Sequence, residues 1–176
     1  RSPRPSSAAS DEYARQIGHL GEMFAFRVLA AKLDGFDEGC WKSSSRALLG
    51  FAGGDDTLGY DFHYIDVTGA LCGRPGAECF IEVKANARAM RPRCSVSRNE
   101  WNLATACHAS TSQVFVIVRV AGIAEDATLA AIIVDPVQFV TDGAMALSPK
   151  DGWWLDVEGG ATVVAASNGA AAYLVK

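Results

Sequence analysis

Tyr13, Ile17, Leu20, Phe24 and Val28 recur three or four residues apart, the spacing that puts apolar side chains on one helical face. Ser10 offers an N-cap, and Asp11 and Glu12 suit the positive end of the helix dipole. The pattern carries this helix to about Leu33, where Gly35 and Gly39 close it. The period then shortens. A short strand is expected near Trp41, a glycine-rich loop over 50–59, and a strand over 59–65. A turn-rich stretch over 68–77, with three glycines and Pro75, leads to a second apolar strand over 79–85. Two strands joined in this way read as a hairpin. Ser97-Arg98-Asn99-Glu100 forms a capping box at the head of a helix running to about His108. Segments 114–120 and 129–134 are nearly continuous apolar runs, as strands covered on both faces are. Asp135-Pro136 supplies an N-cap and first helical residue for a short helix through Val140. Short apolar stretches between 153 and 175 read as edge strands, and no internal repeat is visible.

Composition sets the scale. The chain has 176 residues, 49% hydrophobic and 20% charged, which suits a single domain with its own core over residues 11–176. Residues 1–10 are polar and proline-rich, lack the apolar core of a signal peptide, and read as a linker. With no initiator Met, the chain is expected to be one piece of a longer protein whose other domains are its partners. No apolar run is long enough for a bilayer, so no membrane role is expected. The five cysteines (40, 72, 79, 94, 107) are scattered without a CxxC pair. They signal neither a zinc site nor a disulfide frame, and read as reduced thiols of an intracellular protein, nuclear if its source is eukaryotic.

Net charge is −4 and the pI about 5.3, which argues against a domain that coats nucleic acid. The distribution qualifies this. From Lys84 to Arg98 the chain carries Lys84, Arg88, Arg91, Arg93 and Arg98 and no acid. A phosphate backbone approaching the preceding strand would meet this stretch. A solvated basic loop balanced by acids elsewhere explains the charges equally well.

The candidate chemistry centres on Glu82-Val83-Lys84. Strand alternation points Glu82 and Lys84 one way and Ile81 and Val83 the other. The hairpin brings Asp61 close to both. Two carboxylates and a lysine in one cleft can hold a divalent metal and manage a water nucleophile. In the first helix, Gly18 and Gly21 cost about 1 kcal/mol each relative to alanine. They suggest a close approach, and Gly18 shares a face with Glu22, which could then lean over the sheet. Tight helix packing with an exposed Glu22 is the blander and, on these residues alone, the favoured explanation. Glu100 and Ser97 read first as the capping box. Arg98 and Asn99 sit at a helix N-terminus, a natural phosphate site. His63 shares a strand face with Asp61, His19 and His108 have no visible partner, and Asp55 and Asp56 lack calcium-site spacing. Trp153 and Trp154 read as packing residues before base-stacking ones.

Gly-x-x-Gly-Glu on a helix, Gly-Tyr-Asp on a strand, Ile-Glu-Val-Lys on the next, and Ser-Arg-Asn-Glu-Trp opening a helix together resemble the PD-(D/E)xK nuclease superfamily. More narrowly, they resemble the domain at the C-terminus of the plant NO VEIN protein and in related bacterial proteins. The resemblance spans about residues 17–134 and rests on the order of four motifs that are each weak alone. It implies an α/β fold with a restriction-endonuclease-like core, a central mixed sheet flanked by helices on both faces. It implies a metal-dependent endonuclease, acting first on DNA. Asp61 and Glu82 would ligate Mg²⁺ (or Mn²⁺), with the Val83 carbonyl as a further oxygen and Glu22 as the acid some members supply from the first helix. Lys84 would orient or help deprotonate the attacking water. Arg88, Arg91, Arg93, Arg98 and Asn99 are the candidate nucleic-acid contacts, and a homodimer is one arrangement such a domain adopts. Tyr60 stands where the superfamily often has proline. Two other readings remain open: an inactive nuclease-like module that binds nucleic acid or a partner protein, and a structural module whose acids are held in ion pairs.

Overall fold

The hairpin expected from the sequence forms one side of the central sheet in the computed structural model, which describes residues 7–157. In chain order the elements are α1 (Ser7–Lys32), β1 (Phe62–Asp66), β2 (Ala77–Ala85), β3 (Arg93–Val96), α2 (Arg98–His108), β4 (Gln113–Ala121), β5 (Thr128–Val134), α3 (Pro136–Thr141), β6 (Met145–Lys150) and β7 (Gly152–Val157). Two short 3-10 turns, Glu38–Cys40 and Ser44–Leu49, lie between α1 and β1.

The central sheet has the order β1-β2-β4-β5. It is mixed: β1 and β5 run antiparallel to their neighbours, while β2 and β4 are parallel with Glu82 opposite Ile117. A parallel pair needs a crossover, and β3 and α2 supply it. On one face Ala25 and Leu29 of α1 bury against Phe62, Ile81, Val83, Val116 and Val118. On the other, Ala104 and Cys107 of α2 pack with Phe115, Ile117 and Ile133. The strand β4 therefore feeds both cores, which explains its unbroken apolar run. This is the α/β architecture expected, a mixed sheet with helices on both faces, and it is consistent with a restriction-endonuclease-like core.

The molecule departs from the sequence reading in several places. The helix α1 starts at Ser7, so Ser10 is not its cap and Asp11 and Glu12 lie beyond its first turn. Ala8 and Ala9 are strong helix formers and carry the helix past the polar cap candidate. Residues 7–10 are thus helix and not linker, while residues 1–6 lie outside the described residues. Asp61 lies one residue before β1, although its amide still donates to Ile81 O at 2.8 Å and extends the ladder. Trp41 makes only an isolated bridge to Phe62. A second, three-stranded sheet of order β3-β7-β6 was not expected. Of the edge strands read over 153–175, β7 is observed and the remainder lies outside the described residues.

Of the two helix glycines, Gly21 is the close contact. A Cβ there would lie 2.3 Å from Ala85 Cβ on β2, whereas a Cβ at Gly18 meets nothing within 4 Å. All five cysteines are free and buried. Among the described residues no helix is long and apolar enough to cross a membrane.

Candidate functional site

The start of β1 and the middle of β2 bring Asp61 and Glu82 to one open cleft of about 590 Å³, with Glu22 of α1 beside them. Each acid is positioned by a different device. Asp61 Oδ2 accepts the Val83 amide at 2.7 Å, which places the Val83 backbone against this carboxylate. Glu82 Oε1 accepts Lys84 Nζ at 2.8 Å, as the shared strand face requires. Lys84 Nζ also donates to Glu100 Oε2 at 2.7 Å, reaching from β2 to the first turn of α2. Glu22 is held most firmly. Ser45 Oγ donates to its Oε1 at 2.8 Å, and Ser43 Oγ and Trp41 Nε1 (3.2 Å) donate to its Oε2. Glu22 is 9% exposed rather than free in solvent, and its serine and tryptophan partners, not Gly18, hold it beside the cleft.

The cleft concentrates negative charge. Burial, then the charges of Glu82 and Glu22, hold the Asp61 carboxyl well above its ordinary pKa. Burial pushes Glu82 up to about 7 against the pull of Lys84, with Glu100 and Glu22 adding to the rise. Burial raises Glu22 too, opposed by its hydrogen bonds from Ser43, Ser45 and Trp41. Burial alone would lower Lys84, but Glu82 and Glu100 outweigh it and keep the ammonium protonated far into alkali. Neither Asp61 nor Glu22 forms a salt bridge among the described residues.

This donor set suits a hard cation. All its side-chain donors are oxygens, as Mg²⁺ prefers. Among the described residues, side-chain hydrogen bonds engage Oδ2 of Asp61 and Oε1 of Glu82 and leave the other oxygen of each to the cleft. Glu22 has both oxygens engaged and is the least free to ligate. Asp61, Glu82 and Glu22 do not form a group of three whose oxygens all lie within 4.8 Å of one another; among the described residues only Asp66, Cys72 and Cys79 form such a group. That group is fully buried, and Asp66 Oδ2 accepts the amides of Leu71 and Cys72, so it organises the hairpin loop.

The five candidate nucleic-acid residues do not converge. Arg98 and Asn99 line the acidic cleft. Arg91 and Arg93 line a separate pocket, where Arg93 also pairs with Asp156 at 2.9 Å. Arg88 lines neither cleft and lies 3.6 Å from Glu125. The capping box of Ser97 and Glu100 forms as expected. Asn99 Nδ2 donates to Thr57 O, tying α2 to the glycine-rich loop, where Gly59 takes φ 81° against the Asn99 backbone. His63 does not assist Asp61: it pairs with Glu78 at 2.8 Å and stacks on Phe80. His108 meets Asp135. Asp55 and Asp56 bind Thr57 and Ser44 and shape their loop. Trp154 packs under Arg93 and Lys150.

Sequence reasoning missed Glu100 as a partner of Lys84, Ser43 and Ser45 as the cradle of Glu22, and His19 as a cleft residue. His19 sits three residues before Glu22 on α1, a helical spacing that was legible. The serines carried no such signal.

A family model described as "Protein NO VEIN, C-terminal" matches residues 42–132, just over half of the 176-residue chain. The match includes Asp61, Glu82, Lys84 and Glu100 and leaves α1, with Glu22, outside it. No curated protein and no solved structure matches the chain.

Proposed function

The chain belongs to the Protein NO VEIN C-terminal family, and on that premise we propose that it is a metal-dependent nuclease of the PD-(D/E)xK type. Its reaction is hydrolysis of phosphodiester bonds, in DNA first. The observation that carries this reading is the pair Asp61 and Glu82 in an open cleft, where burial and the neighbouring acids raise both carboxyl pKa values. Buried carboxylates without cations are costly, and a divalent cation relieves the cost. Asp61, Glu82 and the Val83 carbonyl are the residues to hold Mg²⁺ or Mn²⁺. A bound Mg²⁺ lowers the pKa of a water and neutralises phosphate charge.

The chain's own groups do the rest. Lys84, ion-paired on both sides, holds a fixed positive charge beside the acids, which suits orienting a water or stabilising a phosphate oxygen. Glu100 fixes the lysine from α2 and so acts as a positioning residue. Glu22 sets the field of the cleft from its serine cradle. Arg98 presents a cation at the cleft mouth, at the head of α2. Five free cysteines suit a reducing intracellular compartment.

The test is cleavage of supercoiled plasmid and of a single-stranded oligonucleotide in Mg²⁺, Mn²⁺ or EDTA, beside Glu82→Gln and Lys84→Ala. Metal-dependent cutting by the unaltered domain, lost in both folded variants, is expected. Cutting that survives EDTA, or an unaltered folded domain that cuts neither substrate in either metal, refutes the proposal.

A further inference from the structure

A second pocket, of about 470 Å³, opens at the end of β2 and is lined by Lys84, Arg91, Arg93 and Arg119 without a single acid. Arg119 is its unusual member. It stands on β4, the most apolar strand of the sheet, and is only 1% exposed. Buried arginines are ordinarily matched to carboxylates, yet Arg119 makes no salt bridge among the described residues. Its hydrogen bonds run from Nη2 alone, to Arg91 O (2.7 Å), Asn86 Oδ1 (3.4 Å) and Arg93 O (3.5 Å). Its Nε is buried and has no hydrogen-bond partner among the described residues. A buried guanidinium with an idle donor costs free energy that something must offset.

The surroundings say what could offset it. Arg91 and Arg93 bring exposed guanidinium groups to the same pocket, Arg93 while pairing with Asp156, and Lys84 lines it with its ammonium held by Glu82 and Glu100. Gly18 also lines the pocket, and its missing side chain leaves open space there, since a Cβ would meet nothing within 4 Å. A helical glycine without a packing reason costs stability, and cavity access supplies a reason. Several forked donors around an open, acid-free space match an oxyanion that accepts on several oxygens.

We propose that this pocket is a phosphate-binding site, with Arg119 as its buried anchor, Arg91 and Arg93 as its rim, and Gly18 keeping it open. The site is separate from the acidic cleft: Glu82 lines one, Lys84 the other, on the same strand. The phosphate is either free or carried on a nucleic acid, and the chemistry of recognition is the same.

The test is titration calorimetry of the domain in EDTA at low ionic strength, so that no metal bridges an anion to the acids. The probes are inorganic phosphate and a single-stranded oligonucleotide with and without a 5′-phosphate. Saturable binding of inorganic phosphate is expected, weakened about tenfold or more by Arg93→Gln, Arg119→Met and Gly18→Leu. Gly18→Leu fills the pocket without removing a charge and keeps the test sharp should Arg119→Met fail to fold. Preference for the 5′-phosphorylated strand identifies a terminal phosphate, and equal binding of both strands, weakened by the same variants, identifies a backbone phosphate. No preference for either strand over inorganic phosphate identifies the free ion. Absence of phosphate binding, or binding that Arg93→Gln and Gly18→Leu leave unchanged, overturns the proposal. Because no cleavage is measured, the nuclease reading stands or falls separately.

Discussion

Gly18 and Gly21 lie three residues apart in one helix, yet alanine at the two positions has opposite expected effects. At Gly21 the new Cβ comes 2.3 Å from Ala85 Cβ. Carbon atoms pack at roughly 3.5–4 Å, so α1 must withdraw from β2 by about 1 Å. Such overpacking costs roughly 1–3 kcal/mol, offset in part by about 1 kcal/mol of helix propensity. At Gly18 the Cβ enters open space, and only the propensity gain of up to about 1 kcal/mol remains. The two variants should therefore differ by about 2 kcal/mol. In urea, with a slope of roughly 2 kcal/mol/M, their midpoints should stand about 1 M apart, with Gly18→Ala above the unaltered domain. Ala85→Gly added to Gly21→Ala should recover much of the loss, since it removes the other half of the clash. Glu22 follows Gly21 directly, so the shift should also loosen its 2.8 Å bond from Ser45. A Gly21→Ala midpoint equal to or above that of Gly18→Ala would refute the seating of α1 on Ala85.

Asp61→Asn should stabilise the metal-free domain by on the order of 1 kcal/mol. Asparagine keeps an oxygen for the Val83 amide and removes a charge that Glu82 and Glu22 repel. A melting point in EDTA below that of the unaltered domain would contradict this. The pH dependence follows from Glu82, whose pKa rises from its ordinary 4.5 to about 7 on folding. The unfolded chain then ionises first, so stability in EDTA should fall by on the order of 3 kcal/mol as pH rises through that window. Denaturant midpoints should show a flatter profile in Glu82→Gln, and an unchanged slope would show that another group carries it. Arg98→Gln should weaken DNA binding in Ca²⁺ several-fold by anisotropy, whereas Arg88→Gln, which lines neither cleft and faces Glu125, should change it less than about twofold. Equal effects would mean that the basic stretch acts as one surface.

Local chemistry made much of the fold legible. The capping box of α2 needs only residues 97 and 100, and β4 announced its double burial through an unbroken apolar run. The hairpin of β1 and β2, and with it the meeting of Asp61 and Glu82, followed from two strands and one turn. The second sheet stayed hidden because β3 is a four-residue strand in an arginine-rich stretch and β6 contains Pro149, so neither carries a strand signal alone. They form because β7 pairs with both.

The site divides along the same line. Its acids and lysine, and the sharing of one strand face by Glu82 and Lys84, were decided by the sequence itself, because side-chain alternation is a property of any strand. Tertiary structure alone decided their partners. It set Ser45 against Glu22 across 23 residues, Glu100 against Lys84 across 16, and Arg93 against Asp156 across 63. It also split the basic stretch, placing Arg98 at the acidic cleft, Lys84, Arg91 and Arg93 at the second pocket and Arg88 at neither, and left Arg119 buried without a salt bridge among the described residues. Periodicity reports which face a residue takes; which groups meet across that face depends on how distant segments pack, and no local pattern records it.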